Sequence, residues 1–202
     1  VVIDPVINGT QTFNKNDSGY IYRLDNGQTT LNAGARHIYI GDGIDNAGAH
    51  CVHRAYIQPQ LPSLGPDDKV VNAYLNIHQA IAVPGQKYRV NLYQITESWT
   101  TSTMHWDIGI DPNMLDTKNT ECLDNDWDEF DITRAAKDWY DNNNNYGIML
   151  MADRLDGNNA RRYHSYLESE EVGRPLTTVV YLNTTGLNDF NSYKSYHMGS
   201  AG

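Results

Sequence analysis

The sequence predicts an all-β protein, a jelly-roll β-sandwich carrying one short α-helix over about residues 132 to 141. Three observations predict it. The aromatic class is weighted to tyrosine, 14 Tyr against 3 Phe, and 16 glycines stand among many Asn, Asp and Thr residues, a strand-and-turn composition. Short apolar or alternating runs recur, separated by Gly, Pro and Asn chemistry. Only one segment has helical spacing. At 202 residues the chain suits one domain, residues 1 to 183, since sandwiches of this size need no division.

The elements follow in order. "GYIYRL" (19 to 24) and "HIYIG" (37 to 41) are short strand runs, and "CVHRAYIQPQL" (51 to 61) is a third that stops at proline. In "VNAYLNIH" (71 to 78), Val71, Ala73, Leu75 and Ile77 fall on one face, the period of a half-buried strand. "YRVNLYQI" (88 to 95) alternates likewise, with Tyr88, Val90 and Leu92 on one side, and the Pro-Gly turn between the two predicts that they pair as a hairpin. From Thr96 to Asn125 the pattern fails, which predicts a long loop, with room for a helical turn, anchored by Trp99 and Trp106. Ile132, Ala135, Ala136, Trp139 and Tyr140 then lie at helical spacing behind Asp131, which can cap the first turn. Such a short helix must be held on a sheet by Ile132, Ala136 and Trp139. The asparagines at 142 to 145 supply left-handed backbone to end it. "YGIMLMA" (146 to 152) reads as a central strand buried on both faces, "RRYHSYL" (161 to 167) and "LTTVVYL" (176 to 182) as further strands, and 184 to 202 as a linker.

Charge narrows the function. The net charge of -10, from 25 acidic and 15 basic residues, argues against a nucleic-acid partner, and no apolar run is long enough to insert in a bilayer. Cys51 and Cys122 lack a CxxC companion, leaving a disulfide between them or two thiols; a bridge would contribute about 4 kcal/mol in the chain-entropy model.

Several residue groups are candidates for chemistry, each with a plainer reading. Asp124 and Asp126, or Asp42 and Asp45 in "GDGIDNAG", could supply oxygen ligands to a structural Ca2+, but neither loop has EF-hand spacing, and a solvated acidic turn is the alternative. Arg161, Arg162, Tyr163 and His164 form the densest basic and aromatic group, suited to a sugar through ring stacking and guanidinium contacts; the alternative is a packed tyrosine beside arginines paired with glutamate. Trp99, Trp106, Trp127 and Trp139 suit core or loop anchors better than sugar platforms. Arg54, among apolar neighbours, suits an ion pair or a cap on carbonyls. None of the seven histidines belongs to an HExxH arrangement, no Gly-x-Ser-x-Gly elbow occurs, and no carboxylate pair stands out for glycoside hydrolysis.

The opening of the helix carries a resemblance. "W-x-x-F-D-I-T-x-x-x-x-x-W" (Trp127, Phe130, Asp131, Ile132, Thr133, Trp139), then "N-Y-G-I-M-L" (Asn145 to Leu150) and "S-x-E-x-x-x-R-P" (Ser169, Glu171, Arg174, Pro175, approximately spaced) resemble the DNRLRE domain family. "HRAYIQPQLPSLGPDDKVVNAYLNIH" and "TESWTTSTMHW" are similar to its upstream segments, with His105 where threonine is usual. The resemblance implies a non-catalytic, secreted or cell-surface bacterial module, related to carbohydrate-binding modules and to the TGF-β propeptide fold, that binds a cell-surface, plant or algal polysaccharide. "Y-L-N-T-T-G-L-N-D-F" resembles the junction to RHS or YD repeats, which implies downstream domains and an alternative role as a structural or adhesive scaffold before a repeat shell.

Overall fold

The computed structural model describes residues 7–12, 18–33, 35–80, 87–121, 126–153, 161–164 and 175–183. Among these residues, twelve strands and one helix run in the order β1 (Ile7–Thr12), β2 (Ser18–Leu24), β3 (Thr29–Ala33), β4 (His37–Ile44), β5 (His50–Ile57), β6 (Asp68–His78), β7 (Lys87–Gln94), β8 (Asp116–Glu121), β9 (Trp127–Asp131), α1 (Thr133–Asn142), β10 (Ile148–Asp153), β11 (Arg161–His164) and β12 (Leu176–Asn183). They make two antiparallel sheets. The smaller has the order β1-β12-β6-β9; the larger has β11-β4-β5-β10-β7-β8, with β2 on β5 and β3 on β2. β2 pairs along most of one edge of β5, so β4 and β10 share the other, β4 around residues 50 to 53 and β10 around 55 to 57.

The alternation in the strands builds the core. Ala73, Leu75 and Ile77 of β6 face Tyr88, Val90 and Leu92 of β7 within one buried cluster, joined by Ile38, Ile40, Ile57, Phe130, Ile148, Leu150 and Val179. Val71, expected on that face, is 39% exposed because the pairing of β6 with β12 slips there, Asn72 lying opposite Val180 and Val70 opposite Tyr181, so Val71 bulges out and Val70 packs on the core instead. The expected hairpin of β6 with β7 does not form: β6 pairs with β12 and β9, β7 with β10 and β8, in different sheets. Both strands carry a strong apolar face, and setting those faces across the sandwich buries both.

A second buried cluster lies outside the larger sheet, made of Ile21, Tyr56, Ile95, Trp99, Met104, Ile108 and Met149. The loop at 96 to 115 folds down to cover it, and this explains why β10 is buried on both sides: Ile148 and Leu150 face the interior, Met149 the outer cluster. Trp99 donates its indole N–H to the Tyr146 carbonyl (2.6 Å), and a helical turn closes with the Met104 N–H on the Thr100 carbonyl (2.9 Å). The loop is shorter than the sequence suggests, since residues 116 to 121 form β8. That strand is polar because it pairs with β7 along one edge and buries little beyond Thr120.

α1 starts one residue later than the spacing indicated, with Ile132 at the cap position. Asp131 Oδ1 accepts from the Thr133 N–H (2.8 Å), and the Thr133 hydroxyl accepts from the Ala73 N–H (2.9 Å), fastening the first turn to β6. Ile132, Ala135, Ala136 and Trp139 are buried, and Asn143 takes the left-handed conformation (φ 52°) that ends the helix.

Candidate functional site

The acid-rich loops serve the fold. Asp45 Oδ1 accepts from the N–H groups of Ala47 (2.9 Å) and Ala49 (2.8 Å), closing its own turn, and Asp126 Oδ1 accepts from the Trp127 N–H (2.8 Å). Asp42 lies 3.3 Å from His50 Nε2, an ion-pair distance without hydrogen-bond alignment, while His50 Nδ1 meets Asp25 Oδ1 at 2.8 Å. The Asp25 hydrogen bond, with charge from both aspartates, raises the His50 pKa above its ordinary 6.5 against a smaller cost of burial. Among the described residues no three His, Cys, Asp or Glu side chains converge as a metal set, and Asp124 lies outside them.

Cys51 is a free, buried thiol whose Sγ lies 3.8 Å from His53 Nε2; Cys122 lies outside the described residues. Burial, then the nearby aspartates, push the thiol pKa up, and burial lowers that of His53, so the pair holds as neutral groups rather than as a thiolate and imidazolium.

Of the basic and aromatic group on β11, the side chains of Arg161, Arg162 and His164 lie outside the description. Tyr163 is fully buried, which removes its ring from any sugar platform. Its hydroxyl donates to Asp128 Oδ2 (2.8 Å), an oxygen that also accepts from the Thr120 hydroxyl (3.1 Å) and the Gln79 amide (3.1 Å). This buried carboxylate ties β9 of one sheet to β8 and β11 of the other. Trp139 is buried; Trp127 meets His78 edge to face, ring centres 4.8 Å apart. Arg54 is a carbonyl cap, donating to the Trp106 carbonyl (2.8 Å) with its guanidinium 3.9 Å from the Trp106 ring centre. Burial lowers its pKa and pushes that of Tyr56, whose hydroxyl donates to the His105 carbonyl (3.2 Å), up to about 12. The two side chains pin the covering loop to the sheet.

The outer face of the larger sheet offers a surface with polar groups. Opposite its buried face, β7 presents Arg89, Asn91 and Tyr93. The register sets Asp153 of β10 beside Arg89, and Asn119 and Thr117 of β8 beside Arg89 and Asn91. With Met114 these residues line an open groove of about 480 Å³. Asn91, 5% exposed, forms its floor: its amide donates to Asp153 Oδ2 (3.1 Å) and its carbonyl oxygen accepts from the Thr117 hydroxyl (2.8 Å). Arg89 Nε donates to Asn119 Oδ1 (3.4 Å), leaving its terminal nitrogens without a protein partner among the described residues. Tyr93, half-buried against the outer cluster, adds an aromatic ring at one end. A second depression, between α1 and residues 110 to 112, has its charged groups committed, Arg134 to Asp111 (3.2 Å) and Asp138 to Gln94 (2.5 Å).

Among known proteins, the family model for carbohydrate-binding module family 96 matches residues 10–179, from within β1 into β12. No curated protein matches the chain. With most of both sheets and the whole helix inside the matched span, the chain belongs to carbohydrate-binding module family 96.

Proposed function

We propose that the chain is a non-catalytic module that binds a polysaccharide in the groove across β10, β7 and β8. Family membership supports carbohydrate binding, and one observation carries the placement: hydrogen-bonding side chains stand in register on three neighbouring strands, with Tyr93 at one end. Polar groups fix sugar hydroxyls while a ring face stacks on the C–H surface of a pyranose. The secreted or cell-surface setting, on a cell-surface, plant or algal glycan and ahead of a YD-repeat region, is part of the same proposal and rests on the resemblance to DNRLRE domains. No helix among the described residues is long and apolar enough to cross a membrane.

Affinity electrophoresis through gels holding neutral or acidic polysaccharides tests the reading. Retardation by at least one polymer, abolished by Tyr93→Ala in a chain of unchanged melting temperature, is the expected result. If Tyr93→Ala is retarded like the parent, the groove is not the site.

A further inference from the structure

We infer that Trp106 is a second sugar-stacking platform, set on the same face of the larger sheet as the groove, where it holds a further pyranose of a chain that leaves the groove across Met151. Trp106 plays this part only if the groove holds the glycan. The strand register fixes how the ring is approached. Ile21 of β2 belongs to the outer cluster, Arg54 of β5 lies directly opposite it, and Arg23 is two residues further along β2, so both arginines rise from the outer face. Trp106 lies over them, its ring centre 3.9 Å from the Arg54 guanidinium and 5.8 Å from that of Arg23. Both cations therefore meet the indole from the sheet, and the ring face turned away from the sheet is left for a ligand.

The base under the ring is fixed. The Tyr56 hydroxyl donates to the His105 carbonyl (3.2 Å) and Arg54 Nη1 to the Trp106 carbonyl (2.8 Å), so two successive peptide groups are fastened before a ligand arrives, which lowers the ordering cost of binding. A purely structural tryptophan looks different. Trp99 is 8% exposed with its N–H spent on the Tyr146 carbonyl, and Trp139 encloses its N–H in the core. Trp106 is half-buried, and its N–H reaches solvent with no protein partner among the described residues. Arg23, exposed beside the ring, has its N–H donors uncommitted among the described residues. The ring face can stack on the C–H surface of a pyranose while the indole N–H and the Arg23 guanidinium donate to its hydroxyls. Met151 of β10, half-buried against the outer cluster and opposite Asn91 of β7, lies between the platform and the groove. β5 and β7 flank β10, so about 10 Å of sheet separates the two sites, a gap that one oligosaccharide crosses.

The test is calorimetric and fluorescence titration of the whole chain with trimers and hexamers of the cello, manno, xylo, galacturonate, mannuronate and guluronate series. The parent is expected to bind the hexamer of at least one series about tenfold more tightly than its trimer, with a shift of tryptophan emission. Trp106→Ala is expected to remove that shift and weaken the hexamer about tenfold while holding the trimer within about twofold, which also shows that the variant is folded. Trp106→Tyr, which restores a ring and a donor, should recover the hexamer to within about threefold of the parent. A parent indifferent to chain length, or a hexamer bound by Trp106→Ala as tightly as by the parent, overturns the platform and leaves the groove standing. Tyr93→Ala should weaken both lengths; if it weakens neither, the groove assignment fails and the span from groove to Trp106 falls with it. A parent that binds no member of the panel overturns both.

Discussion

Replacing Asp128 by alanine removes the acceptor shared by Tyr163, Thr120 and Gln79 in a site only 3% exposed. Thr120 keeps the Glu121 carbonyl at 3.4 Å and Gln79 keeps the Thr120 hydroxyl at 3.2 Å. Three donors losing a charged acceptor at about 1 to 1.5 kcal/mol each give about 4 kcal/mol. For a domain of this size that lowers the melting temperature by roughly 8 to 16 °C. Asp128→Asn, which keeps one acceptor oxygen, should cost about 1 to 2 kcal/mol. Urea unfolding followed by tryptophan fluorescence measures both, and a cycle with Tyr163→Phe should show a coupling of about 1 kcal/mol. A cost below about 1 kcal/mol for Asp128→Ala would refute the view that this carboxylate ties the two sheets together.

Gly147 adopts φ 85°, and a Cβ there would strike the Ile57 carbonyl and approach Gln58 Cα at 2.9 Å; Gly147→Ala should cost about 3 kcal/mol or more by calorimetry. Trp139→Ala should cost about 3 to 5 kcal/mol and lower helical circular dichroism, because the buried indole docks α1. His50 has a raised folded-state pKa, so its pairing with Asp25 and Asp42 is fully present below its ordinary value of 6.5 and is lost as pH rises through the folded value. Melting temperatures from about pH 5.5 to about pH 8.5 should therefore fall less for His50→Gln than for the parent. Chelation should leave the melting midpoint where it was; a fall would restore a cation to the loops of Asp42 and Asp45 or of Asp124 and Asp126.

The strands that bury one face against the core were legible because their residues alternate: β6, β7 and the continuous run of β10 each carry the pattern that burial requires. Pairing was not legible. Alternation states which side of a strand is buried and says nothing of which edges meet, so the Pro-Gly turn suggested a hairpin where the chain instead crosses between sheets. β8 lacked a signal because an edge strand with one buried residue needs no apolar period. The candidate site suffered from the same gap. Arg89, Asn91 and Tyr93 were visible as the polar side of β7, but only the pairing of β7 with β8 and β10 brings Thr117, Asn119 and Asp153 beside them. The density of Arg161 to His164 in sequence drew attention to β11, where Tyr163 proves to be a buried tie rather than an exposed ring. Arg54 was readable as a carbonyl cap, since a guanidinium between apolar neighbours has to satisfy its donors locally.

The placement of the glycan is tested most directly by titrating the labelled chain with the oligosaccharide it retains best and following backbone and side-chain amide shifts. The groove reading expects the largest changes at Arg89, Asn91, Tyr93, Thr117, Asn119 and Asp153, with the Asn91 and Asn119 side-chain amides among them. Changes centred on β11 around residues 161 to 164, with the groove silent, would contradict it.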